Sequence, residues 1–300
     1  MTSPVEREEA TPAAPTGGGT LYVVATPIGN LRDVTLRALD VLAAVPLVAA
    51  EDTRLTRRLL GRHGIGTRTL SFHARSGPTR LAELLGHLGR GEDLAVVTDA
   101  GTPGVSDPGE ELVRAWAAAG GRVVALPGPS AVTAAVAASG LAGPHWTFEG
   151  FLPRKGRERR ERIARLAADE RSAILFEAPS RVAATLADLA AGCGPDRPVA
   201  ICRELTKIHE QVVRGSLADL ASLVANGTIP ERGEFVIVVG RRESTPPGDA
   251  SAGEPDRAAD ARAEVDRLVA GGQSRADAAR RVARATGLSR RDLYNAGIER

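Results

Sequence analysis

Lysine is nearly absent from this chain: of 39 basic residues only Lys155 and Lys207 are lysine, and the rest are arginine. Beside so much alanine and glycine, that bias is what a G- and C-rich genome produces. It does not by itself mark a nucleic-acid binder. Nor does the net charge of +2, from 39 basic against 37 acidic residues; where the charge sits matters more than its total. The two cysteines, Cys193 and Cys202, lack metal or redox spacing and read as buried thiols in a reducing compartment. Long apolar runs are missing as well. Val41–Ala50 is broken by Pro46 and stopped by Glu51 and Asp52, and nothing approaches the roughly 18 residues of a membrane span. The N-terminus carries Glu6, Arg7, Glu8 and Glu9 with no apolar core, unlike a secretory signal. A cytoplasmic protein without membrane contact is expected.

What is present is an ordinary globular composition, 43% hydrophobic and 25% charged over 300 residues. That length suits about two domains. Residues 1–19 lack any periodic apolar pattern and are expected to be disordered. Apolar runs at 21–25, 46–50, 94–98 and 122–126 read as buried strands. Segments of helical period at 35–44, 53–61, 79–88 and 110–119 lie between them. Strands alternating with helices predict an α/β domain with a mostly parallel, covered sheet over 20–128. A second α/β domain, mixed in strand direction, is expected over 129–240. Its strands are 146–151, 173–177, 199–203, 211–214 and 235–240, and its helices are 157–168, 180–190 and 217–225. The segments 209–214 and 235–239 are candidates for an antiparallel pair. Residues 241–257 have linker composition, and 258–300 read as a small helical unit.

Four loops follow predicted strands, and in α/β proteins ligands bind beyond the carboxyl ends of strands. The first is Thr26-Pro27-Ile28-Gly29-Asn30. The second, Glu51-Asp52-Thr53-Arg54, presents two carboxylates. Asp52 reads as the cap of the next helix, while Glu51 has no such role and stays a candidate. The third, Asp99–Gly109, holds three glycines and two prolines in eleven residues, a rigid loop whose backbone a ligand can approach closely. Ser106 and Asp107 either cap the helix at Glu110 or serve that ligand. The loop is neither G-x-G-x-x-G nor a Gly-Lys-Ser/Thr phosphate loop, so neither NAD nor ATP is favoured. In the fourth, Pro127-Gly128-Pro129-Ser130-Ala131, Pro129 is placed to start the following helix.

Together TPIGNLRDVTLRAL (26–39), AEDTRLTRRLL (50–60), DAGTPGVSDPG (99–109) and PGPSA (127–131) resemble the tetrapyrrole-methylase-like superfamily. These are the class III S-adenosylmethionine-dependent methyltransferases. SGL (139–141), GFLPRKGRERR (150–160), FEAPSR (176–181) and RELTKIHE (203–210) extend the match in order from Leu21 to Gly240. They resemble the branch that methylates the ribose 2′-hydroxyl of a decoding-region cytidine in 16S rRNA. Ser71–Ser76 and Ser180 depart from that pattern. The resemblance implies two α/β domains with a cofactor cleft between them and a small C-terminal helical unit. Asp99, Ala100, Gly101, Pro103 and Ser106, with Pro127, Gly128, Pro129, Ser130 and Ala131, would line the S-adenosylmethionine pocket. Pro27 and the strand end Phe176, Glu177 and Ala178 would close it. The partner implied is 16S rRNA or the small ribosomal subunit, and the expected assembly is a homodimer.

Methyl transfer to a hydroxyl is an in-line displacement that needs the oxygen positioned near the methyl carbon. A base or a polarising cation helps the proton leave. Glu51, Asp52, Asp99, Glu177, Glu204, Lys207 and Glu210 are the candidates. Glu51, Glu204 and Lys207 are preferred; the RELTKIHE resemblance tips Lys207 towards function, able to deprotonate if buried or else salt-bridged to Glu204 or Glu210. His209 reads as structural, with no metal constellation around it. From Arg154 to Arg165 seven basic residues face two acidic ones. Arg154, Lys155, Arg157, Arg159 and Arg160 are therefore candidate phosphate contacts, or simply a solvated helix face. Residues 274–294 read as helix, turn, helix, with Gly287 ending the first and Ser289 capping the second. They either bind RNA or dock on the body or a dimer partner. Two other readings compete: a tetrapyrrole methyltransferase of the same fold, and a non-catalytic RNA-binding assembly factor.

Overall fold

The computed structural model describes residues 17–242, 257–286 and 288–295. The chain divides into two compact units, Met1–Arg242 and Glu243–Arg300. The first holds two five-stranded sheets. In sheet one, β1 (Leu21–Val24), β2 (Leu47–Ala50), β3 (Arg68–Ser71), β4 (Leu94–Val97) and β5 (Val123–Leu126) lie in the order β3-β2-β4-β1-β5. Every pair is parallel. β2 and β4 are buried at all positions, as strands covered on both faces must be. Leu21, Leu47, Leu94 and Trp116 pack on one face, while Val24, Val48, Ala95 and Leu42 pack on the other. The edge strand β3 has only Leu70 as an apolar residue and stays half-exposed. It therefore carries none of the apolar pattern from which the other strands are read.

The helices α1 (Leu36–Ala44), α2 (Thr53–Arg62), α3 (Gly77–Gly89) and α4 (Glu110–Ala118) complete this half. Thr35 and Asp52 cap α1 and α2 through their side chains, supplying acceptors to first-turn amides that have no partner within the helix. Ser106 and Asp107 do not cap α4, whose N-cap is Gly109. Gly19, inside the segment 1–19, donates its amide to Leu88 O at 2.8 Å. Residues 1–16 lie outside the described residues.

Sheet two runs β6-β7-β10-β8-β9, from β6 (Trp146–Phe151), β7 (Ser172–Glu177), β8 (Pro198–Arg203), β9 (Gln211–Ser216) and β10 (Phe235–Val239). β6 and β7 are parallel, and β10 is antiparallel to both β7 and β8. The antiparallel partner of β9 is β8, not β10. The reason is burial: β10 is covered at every position and needs neighbours on both sides, whereas β9 is half-exposed and suits an edge. The helices α5 (Ala131–Ser139), α6 (Arg157–Ala168), α7 (Val182–Cys193) and α8 (Leu217–Ala225) cover it. Pro129 does not start α5. It stands before the extended N-cap Ser130, and its carbonyl accepts the Thr102 hydroxyl at 3.1 Å.

The second unit contains α9 (Arg257–Ala270), α10 (Arg275–Thr286) and α11 (Arg290–Asn295). Ala261, Val265, Ala278, Ala279, Val282 and Leu293 form a core of its own. Gly287, expected to end a helix, lies outside the described residues. Among the described residues no helix is long and apolar enough to cross a membrane.

Candidate active site

The order β3-β2-β4-β1-β5 places β1 between β4 and β5, so the loops leaving these three strands open side by side. A bridge ties two of them: Thr26 N donates to Gly101 O at 2.8 Å, and Gly101 N to Thr26 O at 2.9 Å. Gly101 holds φ at +82°, a conformation side-chain-bearing residues rarely adopt, with Ile28 3.5 Å from where a Cβ would stand. Above these loops lies a cavity of about 370 Å³ that sheet two closes.

Of the residues singled out for the cofactor, Ala100, Gly101, Ser106, Ser130, Ala131, Phe176, Glu177 and Ala178 border this cavity. Asp99 and Pro27 do not. They line a second, smaller cavity of about 160 Å³ on the other side of the 26–29 loop. Pro103 is buried beside Gly109, while Pro127 and Gly128 are exposed, Gly128 lying against Ala25. Glu177 borders the cavity with its carboxylate already engaged. It accepts from Ala178 N at 2.8 Å and Thr185 Oγ1 at 2.6 Å, and it pairs with Arg181.

Sequence reasoning missed Ile28, Val105, Phe151 and the Gly233–Val236 segment as lining residues, whereas Asp107, left open there between a helix cap and a ligand contact, borders the cavity. Ile28 was within reach, lying between Pro27 and Gly29 in a loop already singled out. The 233–236 segment carries no motif and arrives only through the pairing of β10. Phe176 meets Phe148 and Phe151 edge-on, with ring centroids 5.0 and 5.7 Å apart, an arrangement aromatic pairs favour.

Carboxylates gather at the ends of β2 and β4. Asp99 N donates to Glu51 Oε2 at 3.3 Å, and Asp52 N to Asp99 Oδ1 at 2.9 Å. Burial, joined by the field of Asp99, raises the Glu51 carboxyl above its ordinary range. Burial, then the fields of Glu51 and Asp99, pushes Asp107 up to about 6. Asp52 behaves oppositely: hydrogen bonds from Arg54 hold it at about 2. It serves α2 and its arginine, not the cavity.

On the opposite side, Lys207 Nζ reaches Glu204 Oε1 at 2.8 Å and Glu234 Oε2 at 3.1 Å. Burial pulls the ammonium's pKa down, but the hydrogen bonds it donates to Glu204 and Glu234 outweigh this and the net shift is upward. Lys207 therefore stays charged, which is the salt-bridged one of its two expected alternatives, with Glu204 as the foreseen partner and Glu234 as a further one. Glu204 is held below its ordinary range, chiefly by Lys207. A Cβ on Gly29 would stand 2.4 Å from Lys207 Cγ, so only glycine lets the lysine loop pack here. Asn30 N donates to Thr206 Oγ1 at 3.2 Å across the same contact. Ser106, Glu204 and Thr206, the non-glycine residues with positive φ among those described, all sit in these loops. Such strain is concentrated at functional sites.

The basic segment divides. Arg154, Lys155, Arg157 and Arg160 are exposed. Arg159 is not a surface group: it is 7% exposed and bonds Asp188 at 2.7 Å, Thr185 at 2.9 Å and Pro153 O at 3.0 Å. The packing of α6 on α7 turns it inward, which removes it from the candidate RNA contacts. Among the described residues no group of three His, Cys, Asp or Glu side chains is arranged to hold a metal ion.

Two α/β layers whose strand-end loops enclose one apolar cavity define a ligand-binding enzyme class of bilobal architecture. The chain belongs to the Tetrapyrrole (Corrin/Porphyrin) Methylases family, whose signature matches residues 20–221. It is 44% identical to "Ribosomal RNA small subunit methyltransferase I" of Synechocystis over 94% of this chain and 98% of that protein. The protein of the same name from Mycobacterium tuberculosis is 43% identical over 94% and 95%. The one from Xylella fastidiosa is 50% identical over 74% and 81%. Among solved structures, the methyltransferase CobJ superposes with a TM-score of 0.58 at 21% identity, over 74% of this chain and 94% of that one. Uroporphyrin-III C-methyltransferase from Thermus thermophilus, complexed with S-adenosylhomocysteine, gives 0.53 at 19%, over 74% and 97%. These two likenesses establish the fold.

Proposed function

We propose that this chain is an S-adenosylmethionine-dependent methyltransferase acting on the ribose 2′-hydroxyl of a cytidine in small-subunit ribosomal RNA. The observation that carries the reading is the cavity where the loops after β1, β4 and β5 meet the end of β7. The names of the relatives support the small-subunit RNA part of it, and the ligand of the Thermus neighbour supports the cofactor.

The residues present fit such a cofactor. Ile28, Val105, Phe176 and Val236 offer apolar walls for an adenine, and Asp107 and Glu234 set carboxylates at the edge of a site that must accept a cation. No phosphate cradle is needed. The bound cofactor supplies an electrophilic methyl group on a sulfonium. Ala100, Gly101, Ser130 and Ala131 would hold it through backbone groups.

The chain's own part is to orient the hydroxyl and take its proton. Asp107, on the cavity wall with its carboxyl pushed up to about 6, is the group matched to that task. Glu51 acts through the field it places on Asp107. Lys207, kept charged by Glu204 and Glu234, is a polarising cation and not a base. Arg154, Lys155, Arg157 and Arg160 are the proposed phosphate contacts of the flanking RNA. The expected homodimer belongs to this reading, and light scattering of the full chain tests it.

The test has two stages: calorimetric binding of S-adenosylmethionine, then transfer of labelled methyl to small-subunit RNA with mapping of 2′-O-methyl positions. Label entering a tetrapyrrole but not RNA would replace this reading by its same-fold competitor. Absence of cofactor binding would refute both.

A further inference from the structure

The second cavity and the first are lined by neighbouring residues of the same two loops. Along the β1 loop Ile28 faces the larger cavity, while Pro27 and Gly29 face the smaller. Along the β4 loop Thr98 and Asp99 face the smaller, and Ala100 to Thr102 the larger. At about 160 Å³ it is below the range of cofactor and drug-sized sites and suits one small ring. Pro27, Leu31, Leu55 and Leu59 give it apolar walls; Asp99 and Arg58 supply its charge.

The outer wall is α2, which contains four arginines and no acidic residue. Arg54, Arg58 and Arg62 recur every fourth residue and so share one face. Asp52 holds Arg54, and Arg57 turns away to Thr69 at 3.1 Å. Arg58 and Arg62 remain exposed, and among the described residues neither has an ion-pair partner. This contrasts with α6, where Glu158 and Glu161 interrupt the arginines and Arg157 is already paired to Glu161.

We propose that this cavity takes the base of the target nucleotide, that Asp99 reads its amine, and that Arg58 and Arg62 hold the adjoining phosphates. The proposal rests on the methyltransferase reading and deepens it. Sequence-specific proteins bind unstacked bases of single-stranded RNA by packing their faces and hydrogen-bonding their edges. Asp99 Oδ1 accepts the Asp52 amide, but a carboxylate has further lone pairs, and all of them accept. Facing a pyrimidine it therefore favours the 4-amino group of cytosine, a donor, over the 4-oxo group of uracil, an acceptor. A base seated here sends its ribose over the 27–29 loop, beside Lys207 and towards the larger cavity.

The test is anisotropy of labelled small-subunit RNA oligonucleotides carrying C or U at the target position. The full chain is used, with S-adenosylhomocysteine present, across a salt series. Arg58→Ala/Arg62→Ala should flatten the log–log salt slope by about 1.4, at roughly 0.7 per lost contact. Asp99→Asn, whose amide can also donate, should lower the preference for C over U about tenfold. Leu55→Glu, at an exposed α2 position, should weaken both oligonucleotides. Cofactor affinity should be unchanged in the arginine pair and in Leu55→Glu. A wild-type slope in the arginine pair with an unaltered C/U ratio in Asp99→Asn would overturn the proposal and leave the methyltransferase reading intact. Cofactor binding without any RNA binding by the wild type would instead overturn the RNA reading itself.

Discussion

Replacing Asp107 by asparagine should make the protein more stable and less active, and the stability gain should depend on pH. Its carboxyl is pushed from the ordinary 3.8 up to about 6, first by burial and then by Glu51 and Asp99. A carboxyl with a higher pKa folded than unfolded binds protons more tightly in the folded state. It therefore costs little below pH 3.8, where it is largely protonated in both states; the cost builds as pH rises towards about 6 and is complete above that. Some two units at about 1.4 kcal/mol each set a ceiling of about 3 kcal/mol. Asp107 is only half-buried, and screening by solvent reduces this to about 1 kcal/mol.

Asparagine has no charge to bury. Asp107→Asn should accordingly gain about 1 kcal/mol over wild type at pH 8 and nothing near pH 4. Urea unfolding at the two pH values measures this, followed by the fluorescence of Trp116 and Trp146, the chain's two tryptophans. Both lie in the first unit, so the signal reports that unit. The same substitution removes the proposed proton acceptor and should cost kcat about a hundredfold or more. The wild-type kcat should fall below about pH 6 as Asp107 protonates. An equal stability change at both pH values would refute the assignment of a buried charge.

The legible parts of this molecule are those where one local signal suffices. β2 and β4 are unbroken apolar runs because both faces are covered, and the strand-end loops announce themselves by glycine and proline. β3 was not legible because an edge strand with a single leucine has no pattern to read. Lys207 shows the boundary. Its pairing with Glu204, three residues away, follows from spacing, whereas its bond to Glu234 depends on β10 entering between β7 and β8. The second cavity was invisible for the same reason. Its walls come from α2, three of the four residues of the 26–29 loop and the end of β4. The lysine loop that packs on that loop does so through a contact spanning 176 positions.

Three further substitutions separate local from assembled effects. Gly101→Val demands a strained φ of +82° beside Ile28 and should abolish cofactor binding in calorimetry; wild-type affinity would show that the cavity is misassigned. Removing residues 243–300 should leave residues 1–242 folded with unchanged cofactor affinity, because the two units have separate cores; a loss of cofactor binding would contradict this. Finally, Arg159→Ala and Arg160→Ala, adjacent on α6, should give opposite signatures. Arg159 is buried, and its loss strips hydrogen bonds from Pro153 O and Asp188. Thr185 keeps its bond to Glu177, so the expected cost is about 2 kcal/mol in urea unfolding, with the salt slope of RNA binding unchanged. Arg160 is exposed, so its loss should change stability by less than about 0.5 kcal/mol. If it touches phosphate, its removal should flatten that slope by about 0.7. Equal stability losses in the two variants would mean that α6 does not pack as described, because of the two neighbouring guanidinium groups only that of Arg159 is buried and bonded to α7.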